Sequence, residues 1–151
     1  MIQRIQTVYL ALAFILTAVC LSLPVGVFSP EGMGTDTVMF NLWKVTPEGT
    51  LAFTVWPMYV LLLFTCPIGL VAIFMYKNRK LQSKLCLCNI LLTLCWMVAY
   101  VLYGYVFKEE GMTFRPAFAA CIPIICLILY LLARRGIIKD EKLVRAADRI
   151  R

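Results

Sequence analysis

The sequence predicts an all-α membrane protein built on a four-transmembrane-helix bundle. The 151 residues contain four long apolar runs, and none of these runs includes Asp, Glu, Lys, Arg or His. About 20 helical residues cross ~30 Å of hydrocarbon, and the runs approach or exceed that length. The runs are continuously apolar rather than alternating, which favours helices over the strands of a barrel. We therefore expect a single integral membrane domain over residues 1–151.

The four runs place transmembrane spans at about residues 7–28, 54–76, 85–107 and 117–133. The first run is longer than the roughly 7–15 apolar residues of a signal peptide, so we expect an uncleaved span. The second contains Pro67 near its middle, and a kink is expected there because proline removes a backbone donor. The fourth run is the shortest, and the long stems of the arginines that follow Ala133 extend its reach.

Charge is divided unevenly among the segments outside the spans. The segments Met1–Gln6, Lys77–Lys84 and Arg134–Arg151 hold 12 basic residues against three acids, whereas the other two connections hold three against five. Because basic residues near span ends favour the cytoplasm, we expect a multi-pass protein with N-in and C-in orientation. Anionic lipid headgroups account for these charges, so no nucleic acid is expected. The predicted contacts to membrane lipids or to a membrane-protein partner are Lys77, Arg79, Lys80, Lys84, Arg134, Arg135, Lys142, Arg145 and Arg149.

The outer loop, residues 29–53, predicts a short extracytoplasmic β-hairpin-like element. Thr37–Val45 is rich in β-branched and aromatic residues, Thr46–Gly49 favours a turn, and Thr50–Val55 favours a returning strand. An isolated hairpin is only marginally stable in water, so we expect it to rest on the helix ends or on the bilayer surface.

The tail, residues 134–151, predicts a cytoplasmic amphipathic C-terminal helix. Gly136 is a typical helix-stop residue, and a new helix is expected to begin near Ile138–Asp140. Leu143, Ala147 and Ile150 then share one face, opposite a basic face. Such a helix either lies on the inner leaflet or docks on a partner protein, and the residues leave both interpretations open.

One polar stripe stands out within the third run. The residues recur at steps of three and four and so share one helical face. They are Cys86, Asn89, Thr93, Trp96, Tyr100 and Tyr103. Because an unpaired amide is costly in hydrocarbon, this face is expected to turn to the bundle interior. Its polar groups either bond between helices or form the wall of a pocket for a lipid or an amphipathic ligand.

The sequence predicts no enzyme. It contains no histidine, and its acids lie outside the runs, so no catalytic or cofactor-binding residues are assigned. Seven cysteines lie inside the runs without metal-site spacing, and we interpret them as small buried apolar residues with no metal. The absence of an ionisable side chain from the middle of any span makes a transporter the least favoured class.

Both ends of the chain carry a distinctive sequence. Met1–Leu10 reads MIQRIQTVYL, and Arg135–Arg151 reads RGIIKDEKLVRAADRIR. Together with the four-span layout, these segments resemble a family of small four-span inner-membrane proteins of unknown function from the Bacteroidota. The resemblance implies a bacterial inner (cytoplasmic) membrane and supplies no site residues.

The expected function is that of a non-enzymatic accessory or scaffold subunit of a membrane complex. The loop 29–53 and the tail hold most of the polar sequence outside the spans, and they are the expected partner-binding segments. The alternatives are a lipid or small amphipathic ligand binding protein that uses the polar stripe and, less favoured, a small-molecule transporter.

Overall fold

The computed structural model describes residues 2–32, 34–76, 78–107 and 110–149. It has four α-helices, namely α1 (Ile2–Ser22), α2 (Trp56–Phe74), α3 (Arg79–Val101) and α4 (Ile122–Arg149). Within these ranges, four helices are long and apolar enough to cross a membrane. The prediction of four such helices is therefore confirmed.

The helices form a ring in which α1 contacts α2 and α4, and α3 contacts the same two helices. Each helix buries one narrow seam, and the seam of α1 consists of Gln6, Leu10, Ala13, Thr17 and Cys20. Small and weakly polar residues are typical of helix contacts in lipid because they let backbones approach closely. The outward faces are apolar instead, and large side chains such as Phe74 are exposed.

Several helix boundaries differ from the predicted spans. Helix α1 ends at Ser22, and Gly26–Pro30 forms a strand rather than the end of a span. Helix α3 begins at Arg79, so most of the predicted connection Lys77–Lys84 is helical. The side chain of Asn78 caps the N-terminus of α3 by accepting a hydrogen bond from the Leu81 N–H. A π-helical turn, Leu102–Val106, continues α3. Pro67 lies inside α2 without ending it.

The prediction that a helix stops at Gly136 is wrong, because α4 runs unbroken from Ile122 to Arg149. Gly136 faces α1 instead, where an added Cβ would lie 3.0 Å from Gln6 Cγ. Glycine permits this close helix approach. The tail is therefore an extension of α4 rather than a separate amphipathic helix, and Ile150 lies outside the described residues.

The predicted two-stranded hairpin is replaced by a five-stranded antiparallel sheet. Its strands are β1 (Gly26–Pro30), β2 (Thr37–Met39), β3 (Lys44–Val45), β4 (Leu51–Ala52) and β5 (Met112–Pro116), in the spatial order β4-β3-β2-β1-β5. The expected strand Thr37–Val45 is divided by a tight turn in which the Phe40 N–H donates to the Trp43 carbonyl at 2.8 Å. Strands β3 and β4 pair on either side of the predicted Thr46–Gly49 turn.

The sheet joins the α1–α2 connection to the α3–α4 connection at one end of the bundle, which we call the sheet end. Strand β1 follows α1 and pairs with β5, which precedes α4, with Phe28 opposite Phe114. One further backbone hydrogen bond lies just outside β1, where the Val25 N–H donates to the carbonyl of Met39 in β2. The opposite end, where α1 begins and the C-terminal part of α4 extends, is called the tail end.

Candidate functional site

The stripe on α3 lies along the bundle interior for most of its length. Asn89, Thr93 and Trp96 are at most 1 % exposed, whereas Tyr100 and Tyr103 are half-buried. The two halves of the stripe make different contacts.

The half of the stripe nearer the sheet end fastens the sheet to the helices. Trp96 Nε1 donates to Asn41 Oδ1 at 3.0 Å, and Asn41 Nδ2 donates to the carbonyl of Cys20 at 2.7 Å. Asn41 lies in the turn between β2 and β3 and is fully buried. This one side chain therefore links α3, the sheet and the end of α1.

Tyr100 strengthens the same junction. Its hydroxyl donates to the Val25 carbonyl at 3.0 Å, and its ring stacks on Trp96 with centroids 5.2 Å apart. The Phe114 ring of β5 lies edge-on to Tyr100 at 5.6 Å. These contacts pack the aromatic rings of α3 against the sheet, so Tyr100 does not line an open pocket.

The other half of the stripe holds unpaired polar groups. The Thr93 hydroxyl donates to the Asn89 carbonyl of its own helix, at 2.8 Å. Among the described residues, neither Asn89 Nδ2 nor Asn89 Oδ1 has a hydrogen-bond partner, and the Tyr130 hydroxyl also has none. Both side chains border Gly69 of α2, whose added Cβ would lie 3.5 Å from Asn89 Nδ2 and 3.7 Å from the Tyr130 hydroxyl. A buried polar group without a hydrogen-bond partner costs free energy, so this part of the bundle interior is destabilising as it stands.

A second polar cluster closes the tail end. Gln6 Nε2 of α1 donates to Asp140 Oδ2 of α4 at 2.8 Å, and Arg79 Nη1 of α3 donates to the Asp140 carbonyl at 3.1 Å. Gln82 Nε2 bonds the Ala72 carbonyl across the α2–α3 turn at 3.0 Å. These bonds hold the four helices together where the apolar spans end.

The predicted basic contacts are distributed around this end. Lys80, Lys84, Arg135 and Lys142 are exposed, whereas Arg134 is half-buried and its Nε has no partner among the described residues. Arg145 forms an ion pair with Glu141 on the same helix. Lys77 and the side chain of Arg149 lie outside the part of the chain that the structure describes.

Three of these basic residues border one groove. The groove has a volume of about 560 Å³ and lies between the α2–α3 turn and the C-terminal part of α4. Its lining residues are Tyr76, Asn78, Arg79, Lys80, Glu141, Val144 and Arg145. The structure therefore separates Arg79, Lys80 and Arg145 from the other predicted basic contacts.

The cysteines do not form a cluster suited to a metal. Cys20, Cys86 and Cys126 are buried, as expected, but Cys88, Cys95 and Cys121 are exposed. Across the described ranges, no group of three or more His, Cys, Asp or Glu side chains is placed to hold a metal ion.

Sequence reasoning missed Gln6, Asn41 and Asp140 as structural polar residues. Asn41 carried a usable signal, because it is a lone amide within the apolar segment Val38–Trp43. Gln6 and Asp140 carried none, since each lies beside ordinary charged or polar residues at the edge of a span.

A comparison with known families matches nearly the whole chain to a family model. The family described as "Domain of unknown function (DUF4293)" matches residues 2–150. A search of curated proteins returned no match.

Proposed function

Because this chain belongs to the DUF4293 family, a domain of unknown function, we propose a role from its own residues: a non-enzymatic accessory or scaffold subunit of a membrane complex. The lack of histidine anywhere in the sequence supports a non-catalytic role, since histidine is the commonest general base.

The observation that carries the proposal is the sheet at the sheet end. Strand β5 lies at one edge of the sheet, and among the described residues it pairs with β1 alone, so its other side presents backbone groups from Met112 to Pro116. An extended segment of another chain can add to such an edge as a further strand. Thr113 and Arg115 are exposed on this strand and would contact the added segment.

The tail end offers a second contact surface. The last part of α4 continues as one helix with exposed Leu143, Val144 and Arg145. A projecting helix with a mixed apolar and basic surface suits docking on a partner better than burial in the bilayer.

The proposed location is a bacterial inner membrane, with both termini in the cytoplasm and the sheet outside. The excess of basic residues at the tail end supports this orientation. A reporter that works only in the cytoplasm should be active when it is fused after Arg151. Activity of a reporter that works only on the far side of the membrane would refute the orientation. Carbonate washing should leave the protein in the membrane fraction.

Site-specific photocrosslinking in native membranes tests the scaffold role. A crosslinker at Thr113 should give one discrete product with a partner chain, whereas a matched crosslinker at the exposed helix residue Val98 should not. The partner should also co-purify in a fixed ratio from mild detergent. Identical products at both positions, or no stoichiometric partner, would refute the proposal.

A ligand-binding role is the second candidate, and the unpaired Asn89 amide favours it. A lipid or small amphipathic molecule retained in mild detergent should be lost in an Asn89→Leu variant and kept in a Tyr105→Phe variant, which changes an exposed ring outside the stripe. Equal retention in both would exclude this use of the stripe. Small-molecule transport ranks lower, and flux in proteoliposomes above an empty control would revive it.

A further inference from the structure

The groove at the tail end brings cations together from two parts of the chain. Arg79 and Lys80 start α3, and Arg145 lies on α4 across the groove. Among the described residues that line it, the one acid is Glu141, and its carboxylate already pairs with Arg145. The groove therefore keeps an excess of positive charge after this pair is counted.

Arg79 is held in position within the groove. Its Nη1 donates to the Asp140 carbonyl, which uses one of the five N–H donors of a guanidinium. The first turn of α3 contains no acid, so the positive end of its dipole adds to the field of Arg79 and Lys80. A planar, fixed guanidinium beside a flexible lysine suits the oxygens of a phosphate group.

The apolar parts of the groove indicate where such a phosphate would come from. Tyr76 is 52 % exposed and Val144 is 44 % exposed, and both line the groove beside the cations. Helix α2 ends at Phe74, which is 75 % exposed. The groove thus lies beside the end of an apolar helix, and the ends of membrane-spanning helices are where lipid headgroups are met.

We propose that this groove binds the phosphate headgroup of an anionic phospholipid. Arg79, Lys80 and Arg145 contact the phosphate, while Tyr76 and Val144 contact the glycerol and the upper acyl chain. This site is separate from the proposed partner contact on strand β5, but it shares Val144 and Arg145 with the second contact surface proposed at the tail end. Lipid binding by the purified protein tests the groove with no partner present, whereas the crosslinker at Thr113 tests the β5 contact alone.

Native mass spectrometry of the full-length protein in detergent tests the site. Phosphatidylglycerol and phosphatidylcholine serve as the anionic and zwitterionic probes, and the variants are Lys80→Gln and Arg145→Gln. Lys139→Gln is the matched control, because Lys139 is also exposed at the tail end but lies about 160° around α4 from Glu141. Unchanged helical circular dichroism and elution volume establish that each variant folds.

The wild-type protein should retain phosphatidylglycerol in preference to phosphatidylcholine. Each groove variant should lower phosphatidylglycerol affinity by about fivefold, as expected for one lost cation–headgroup contact, and Lys139→Gln should not. An equal loss in Lys139→Gln would show a general charge effect and overturn the site. Equal retention of both lipids would also overturn the proposed site. If inorganic phosphate bound as tightly as phosphatidylglycerol, a lipid would be excluded as the occupant.

Discussion

The side-chain amide of Gln6 donates a 2.8 Å hydrogen bond to the carboxylate of Asp140, which lies 134 residues later in the chain. Both side chains are buried, at 5 % and 8 % exposure. The bond joins the start of α1 to α4 well beyond its apolar part. It fastens the part of α4 around Asp140 to the bundle.

Removal of this donor should loosen the tail end. Gln6→Leu leaves a buried carboxylate without its partner and should lower the free energy of unfolding by about 1–3 kcal/mol. Thermal unfolding in detergent measures the loss, and hydrogen exchange should rise over residues 137–146. Lys139→Gln, an exposed neighbour of Asp140, should change neither quantity.

A double variant separates pairing from packing at this site. If the carboxylate is costly because it is unpaired, Gln6→Leu combined with Asp140→Leu should recover much of the stability lost in Gln6→Leu alone. If the double variant instead loses the sum of the unfolding free energies lost in the two single variants, the hydrogen bond does not account for the destabilisation by Gln6→Leu.

The helices could be predicted from the sequence, but several of their ends could not. Continuous apolar runs identify a lipid solvent, whatever the tertiary contacts. Gly136, however, has the same local sequence signal whether it stops a helix or lets Gln6 approach, and only the position of α1 decides between the two. Likewise, Gly26–Phe28 is apolar enough for a span, and only its pairing with β5 makes it a strand.

The site was predictable to a similar degree. The period of the stripe placed Asn89 and Trp96 on one helical face, and the structure buries both. The period could not reveal that Trp96 donates a hydrogen bond to a loop residue, Asn41, because that contact joins positions 55 residues apart. The groove could not be predicted either, because Lys80 and Arg145 line the same groove only once α3 packs on α4.

Two glycines accommodate the Phe114 ring and provide a second prediction. A Cβ added at Gly104 would lie 2.6 Å from Phe114 Cε1, and one at Gly26 would lie 2.4 Å from Phe114 Cε2. Gly104→Ala should therefore displace the ring and destabilise the protein by about 1–3 kcal/mol, as overpacking typically does. Thermal unfolding of the purified protein provides the measurement.

The matched control for this prediction is Gly32→Ala, because an added Cβ there meets no described atom within 4 Å. Its melting temperature should equal that of the wild-type protein. Combining Gly104→Ala with Phe114→Leu should relieve the clash and restore part of the loss. A Gly104→Ala protein as stable as Gly32→Ala would show that the ring does not occupy this position.

The two fully buried asparagines should respond in opposite ways to the same change. Asn41 bonds both Trp96 and the Cys20 carbonyl, so Asn41→Leu leaves the indole N–H and the carbonyl without these partners. That variant should lose about 2–3 kcal/mol of unfolding free energy. Asn89 has no hydrogen-bond partner among the described residues, so Asn89→Leu removes an unmet polar group and should be neutral or stabilising.

Both substitutions change the same residue type at 0 % exposure, so a comparison of their melting temperatures in one detergent isolates the hydrogen bonds. Asn41→Leu should melt well below Asn89→Leu, and the difference should shrink when Trp96→Phe is added, because that change removes one of the partners of Asn41. Delipidated protein is the appropriate sample, since a bound guest at Asn89 would stabilise the wild-type side chain. If Asn89→Leu loses as much stability as Asn41→Leu in that sample, then Asn89 has protein partners and the ligand-binding candidate loses its supporting observation.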